Sequence, residues 1–120
     1  MKYIFILILL VQIQTLSSQQ ILEDHPLSKT IEETSGLEII DNMLITHNDS
    51  GGEPALYYLD KEGKIVDTRK ITGVKNNDWE DVTRDDEFIY VANMGNNFDT
   101  RKNLSIIKIP IKKSLNETVE

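Results

Sequence analysis

The sequence predicts an all-β chain, and three observations carry that prediction. From Ser35 onward the apolar residues come in short runs cut by Gly, Asn and Asp, the texture of strands joined by tight turns. No ten-residue stretch after the first eighteen keeps a helical period. The pattern also repeats itself after slightly more than forty residues, a spacing that belongs to architectures of short stacked sheets.

Residues 1–18 come first and read as a signal-peptide helix. Lys2 is the only charge before Glu23, Tyr3 to Val11 is unbroken apolar sequence, and the run fades through Gln12 and Gln14 to Ser17-Ser18. A positive start, a short apolar stretch and small residues near the cut define an export signal. A membrane-spanning helix needs about 20 apolar residues, and the glutamines arrive too early, so no stable span is expected after cleavage. The expected location is secreted or periplasmic.

Residues 19–34 form a polar lead-in containing Pro26, with at most a short strand at its end. The strand runs are then Gly36–Ile40, Met43–Thr46, Ala55–Leu59, Ile65–Ile71, Phe88–Ala92 and Leu104–Ile111. Asp41-Asn42 separates the first two runs, and Lys61-Glu62-Gly63-Lys64 reads as a hairpin loop. The run at Ile65–Ile71 has no purely apolar face, which suits an outer, half-exposed strand.

The repeat gives the organisation. Ser35-Gly36-Leu37-Glu38-Ile39 aligns with Asp78-Trp79-Glu80-Asp81-Val82, and Leu44-Ile45-Thr46 with Phe88-Ile89-Tyr90. Asp49-Ser50-Gly51 aligns with Asn93-Met94-Gly95, and Leu56–Leu59 with Ile106–Ile109. Residues 35–75 and 76–111 thus read as two blade-like repeats of a β-propeller, each expected to be a four-stranded antiparallel unit, with 112–120 as a tail or the start of another repeat. A propeller takes four to eight blades, and each blade buries its faces only against neighbours. The chain is therefore expected to be the opening portion of a longer propeller, with further blades or self-assembly closing the fold.

Composition narrows the partners. The net charge is −7, and losing Lys2 with the signal makes it one unit more negative. Nucleic acid demands a basic surface and is excluded. Cysteine is absent, so there is neither a disulfide nor a lipidated cysteine, and small exported domains without disulfides favour a bacterial source.

Three polar clusters carry the candidate chemistry: His47-Asn48-Asp49, Asn76 to Asp81, and Asn93 to Asn97. They are rich in carboxylate and amide oxygens, the donors that hard cations such as calcium prefer. Glu38, Asp49, Asp81 and Asn93 are the candidate metal ligands, since strand ends of successive blades converge. Asn48, Asp78, Glu80, Asn96 and Asn97 are candidate loop contacts. The same residues are also ordinary turn formers. His47 is the one candidate general base, and no nucleophile elbow is present.

Ser-Gly-Leu-Glu, His-Asn-Asp-Ser-Gly, Asp-Trp-Glu-Asp and Asn-x-Gly-Asn-Asn, in that order from about Thr34 to Ile109, resemble a group of largely uncharacterised bacterial secreted β-propeller proteins. More distantly the pattern is similar to the calcium-dependent six-bladed propellers of the gluconolactonase and paraoxonase type. That resemblance implies a channel cation, with Glu38 from the first blade and Asp81 or Asn93 from the second as ligands. Two functions stay open: an exported binding or scaffold propeller for a protein, glycan or small molecule, or a calcium-dependent lactone or ester hydrolase that is incomplete here.

Overall fold

The computed structural model describes residues 19–111. The expected signal peptide and the 112–120 tail lie outside these described residues. The fold is all-β, as the turn-punctuated sequence implies. Strands β1 (Thr34–Ile40), β2 (Met43–Asn48), β3 (Ala55–Leu59) and β4 (Ile65–Lys70) form one antiparallel sheet in chain order. Strands β5 (Asp81–Arg84), β6 (Phe88–Asn93) and β7 (Ser105–Pro110) form a second. The second sheet thus has three strands among the described residues where the repeat predicts four. A fourth would have to follow Ile111, outside them.

The turns follow from their chemistry. Asp41 (φ 49°) and Asn42 (φ 64°) form the two-residue link between β1 and β2, a left-handed pair that Asx residues tolerate. In the β3–β4 hairpin, the Asp60 carboxylate accepts the backbone N–H groups of Glu62 and Lys64, each at 2.9 Å. Asp85 does the same for Glu87 and Phe88 in the β5–β6 hairpin, at 2.8 and 2.7 Å. Those bonds, together with the Tyr90 hydroxyl donating to the other oxygen, hold the Asp85 carboxyl below its usual range, the Tyr90 bond being the largest cause.

Alternation along the strands gives each sheet two faces. Ile45, Leu56 and Tyr58 of the first sheet meet Val82, Ile89, Val91 and Ile109 of the second, with Trp79 buried among them. The opposite face of the first sheet, carrying Ala55, Tyr57 and Leu59, is covered by Ile31 of a 3₁₀ turn in the lead-in. The outward face of the second sheet carries Phe88, Tyr90 and Ala92, set by register against Pro110, Lys108 and Ile106. The sheets meet along their first strands, β1 against β5.

One spacing differs from the sequence alignment. Phe88 opens β6 as Met43 opens β2, 45 positions apart, whereas the alignment sets these strands 44 apart. A one-residue slip exchanges the two faces of a strand. With the hairpins matched, Ile45, which faces the second sheet, corresponds to Tyr90, which faces outward.

Candidate functional site

Asp49 leaves β2, Asp78 and Glu80 enter β5, and three backbone bonds hold them together. The Asp49 N–H donates to Glu33 O (2.9 Å), Trp79 N–H to Asp49 O (3.3 Å), and Gly95 N–H to Asp78 O (3.1 Å). Within the extended segment 78–80, burial of Trp79 sends Asp78 and Glu80 to the other side. One oxygen from each of Asp49, Asp78 and Glu80 lies within 4.8 Å of the other two. This acidic group has the donor type and spacing to hold a metal ion.

The electrostatics are those of crowded like charges. The Asp49 carboxyl is pushed up to about 6, first by its side-chain hydrogen bond to Asp78, then by burial, and then by the negative charges of Asp78, Glu80 and Glu33. Gly95 makes the crowding possible. A β-carbon at that position would overlap the Asp78 carboxylate and a Glu80 oxygen.

Three buried acceptors on Asp49 and on two nearby asparagines are left without a donor. They are Asp49 Oδ1, Asn48 Oδ1 and Asn76 Oδ1, and the condition costs about 1–3 kcal/mol per buried group. Asn76 is 6 % exposed, and its Nδ2 donates to Asn48 O at 2.9 Å, so its amide lies against the peptide that leads into Asp49.

His47 sits behind these residues. It is fully buried, its ring edge-on to Trp79 with centroids 5.6 Å apart. Its Nδ1 is 3.0 Å from Asn48 O; a carbonyl only accepts, so Nδ1 carries the proton. Burial is the largest influence and lowers its pKa below the ordinary 6.5, and Nε2 has no hydrogen-bond partner. Gly36 (φ 67°) lets β1 pass close, since a β-carbon there would lie 3.0 Å from His47 Nε2.

The other sequence candidates go elsewhere. Glu38 accepts Ile39 N–H at 2.8 Å and the Thr83 hydroxyl at 3.3 Å, bridging β1 and β5. Asp81 accepts Val82 N–H at 2.8 Å. Asn93 is buried, donates to Ser105 Oγ at 3.2 Å and accepts from Arg101 at 3.1 Å. Asn96 accepts the Arg101 N–H at 2.8 Å, and Asn97 is exposed. Of the four candidate ligands only Asp49 joins the acidic group, where it meets Asp78 and Glu80.

Arg101, which sequence reasoning did not single out, organises the loop after β6. Its guanidinium also donates to the carbonyls of Gly95 and Asn93, holding Gly95 where the carboxylates need it. Comparison with protein-family models, curated proteins and solved structures finds no match to this chain.

Proposed function

We propose that the chain is an exported all-β binding module in which Asp49, Asp78 and Glu80 hold a hard divalent cation of the calcium class. The observation that carries this reading is the mutual approach of the three carboxylate oxygens within 4.8 Å. Two oxygens on one calcium, each 2.3–2.6 Å away, can lie no farther apart than about 5 Å. A cation there would relieve the repulsion that raises Asp49, and the all-oxygen donor set suits calcium better than zinc, which prefers nitrogen and sulfur. In this reading the two sheets are successive blades of a propeller, stacked through β1 and β5, and the cation locks the loops between them. The ligand of the module would be a protein, glycan or small molecule met outside the cytoplasm.

The hydrolytic alternative needs a base that a substrate can reach. His47 is 0 % exposed and lies edge-on to Trp79, out of a substrate's reach, so the site gives that alternative no support.

Calorimetric titration of the exported chain with calcium, paired with thermal melts, tests the proposal. Binding to the folded state stabilises by about 2.7 kcal/mol at a hundredfold excess over the dissociation constant. The expected result is saturable heat with a rise in melting temperature, both lost in Asp78→Asn. Absence of heat and of any melting shift at millimolar calcium would overturn it.

A further inference from the structure

The outward face of the second sheet has nothing over it among the described residues. Phe88 and Tyr90 lie side by side there (6.5 Å between centroids), with Lys108 Nζ 3.7 Å from the Phe88 ring centre. Ile106 is 55 % exposed on the same face. With the hairpins matched at 45 residues, this face is the counterpart of the first-sheet face that receives Ile89, Val91 and Trp79. It has the chemistry of a covered face, and no described residue covers it.

A second apolar feature is equally bare. In the lead-in, Ile21 is 81 % and Leu22 88 % exposed, followed at once by Glu23 and Asp24. Farther along, the same lead-in already does what the open face requires, since Ile31 lies on the outer face of the first sheet at 1 % exposure.

Reach decides between the chain's own lead-in and another's. The lead-in is held on the first sheet by Ile31, and Leu27 and His25 pass over Gly63 in the β3–β4 turn, within 4 Å of where a β-carbon on that glycine would lie. Leu22 is three residues from His25, a span of about 10 Å at full extension. The open face lies beyond two sheets packed about 10 Å apart, so an intramolecular path needs roughly twice that span. A second copy has no such limit.

We propose that the open face of the second sheet binds the lead-in of a second copy of this chain, reciprocally, giving a two-fold dimer. Ile21 and Leu22 of one copy cover Ile106 and the Phe88–Tyr90 pair of the other. Glu23 and Asp24 then fall beside Lys108, the basic residue of that face. Each copy brings both halves of the contact, so the pairing closes on itself.

Sedimentation velocity over a concentration series, on the chain purified after export, tests the proposal. The wild type should sediment at twice the monomer mass. Ile21→Ser with Leu22→Ser should give a monomer with the far-ultraviolet circular dichroism of the wild type, because both residues lie outside the folded sheets, and its melting temperature should no longer rise with protein concentration as that of the dimer does. Lys108→Glu should weaken the dimer roughly tenfold, and adding Glu23→Lys with Asp24→Lys should restore it. A wild type that stays monomeric throughout would overturn the proposal. So would a dimer lost in Ile106→Ser but indifferent to Ile21→Ser/Leu22→Ser, since two open faces would then be meeting directly.

Discussion

Gly95 donates its N–H to the carbonyl of Asp78 at 3.1 Å, and it has no side chain where that aspartate's own carboxylate lies. One residue thereby fixes the backbone of the acidic group and vacates the space the group occupies. Gly95→Ala should push Asp78 and Glu80 apart, at a cost of about 1–3 kcal/mol as for other overpacked sites. Calorimetry should then find the calcium response gone, while far-ultraviolet circular dichroism stays that of the wild type.

Neutralising one carboxylate should help the metal-free protein and harm the loaded one. Asp49→Asn removes a charge from a crowded set, so the melting temperature without cation should rise. With excess calcium it should fall below that of the wild type. Melts in chelator and in calcium separate the two, and a variant that falls in both would contradict the like-charge account.

The pH profile has two opposing parts whose signs can be worked out. Asp49 has a folded pKa of about 6 against an ordinary 3.8, so folding favours its protonated form. Its contribution is complete below about pH 4 and is lost as pH rises through 6. His47 is shifted the other way, downward from 6.5 by burial. Its neutral ring favours folding above 6.5, and that contribution is lost as pH falls through the folded pKa. Denaturant melts of the cation-free protein should show Asp49→Asn flattening the loss between pH 4 and 6. Under saturating calcium the wild-type slope over that interval should reverse, since protons and the cation compete for the same oxygens.

Trp79 anchors the packing between the sheets at 0 % exposure. Truncation to alanine should cost about 3–5 kcal/mol, measured as a lower denaturant midpoint. Phenylalanine keeps most of the buried apolar surface and removes the unpaired indole N–H, so it should cost clearly less.

Much of this fold is legible in the sequence because its turns carry their own chemistry. Asp41-Asn42 and Lys61–Lys64 mark two hairpins, and the mixed run from Ile65 reads as the outer strand that β4 is. Strand β5 is harder to see: Val82 is its only buried residue, and its pairing with β6 rather than any apolar run makes it a strand. The site was half visible. Asp49 stands out in its loop, but carboxylates meet through backbone paths that residue type does not encode. Glu38 and Asp81 are spent on neighbouring N–H groups, as Asx and Glu side chains near strand ends often are. The usable signal was Asp78-Trp79-Glu80, where one tryptophan turned inward puts both acids on the same side.

Trp79 is also the only tryptophan in the chain, and it lies between two of the three site carboxylates and edge-on to His47. All indole emission therefore comes from this one address. A shift in its wavelength would report the junction of the two sheets, and energy transfer from it to bound terbium would report the acidic group. The protein carries its own optical gauge for both, with no label to attach.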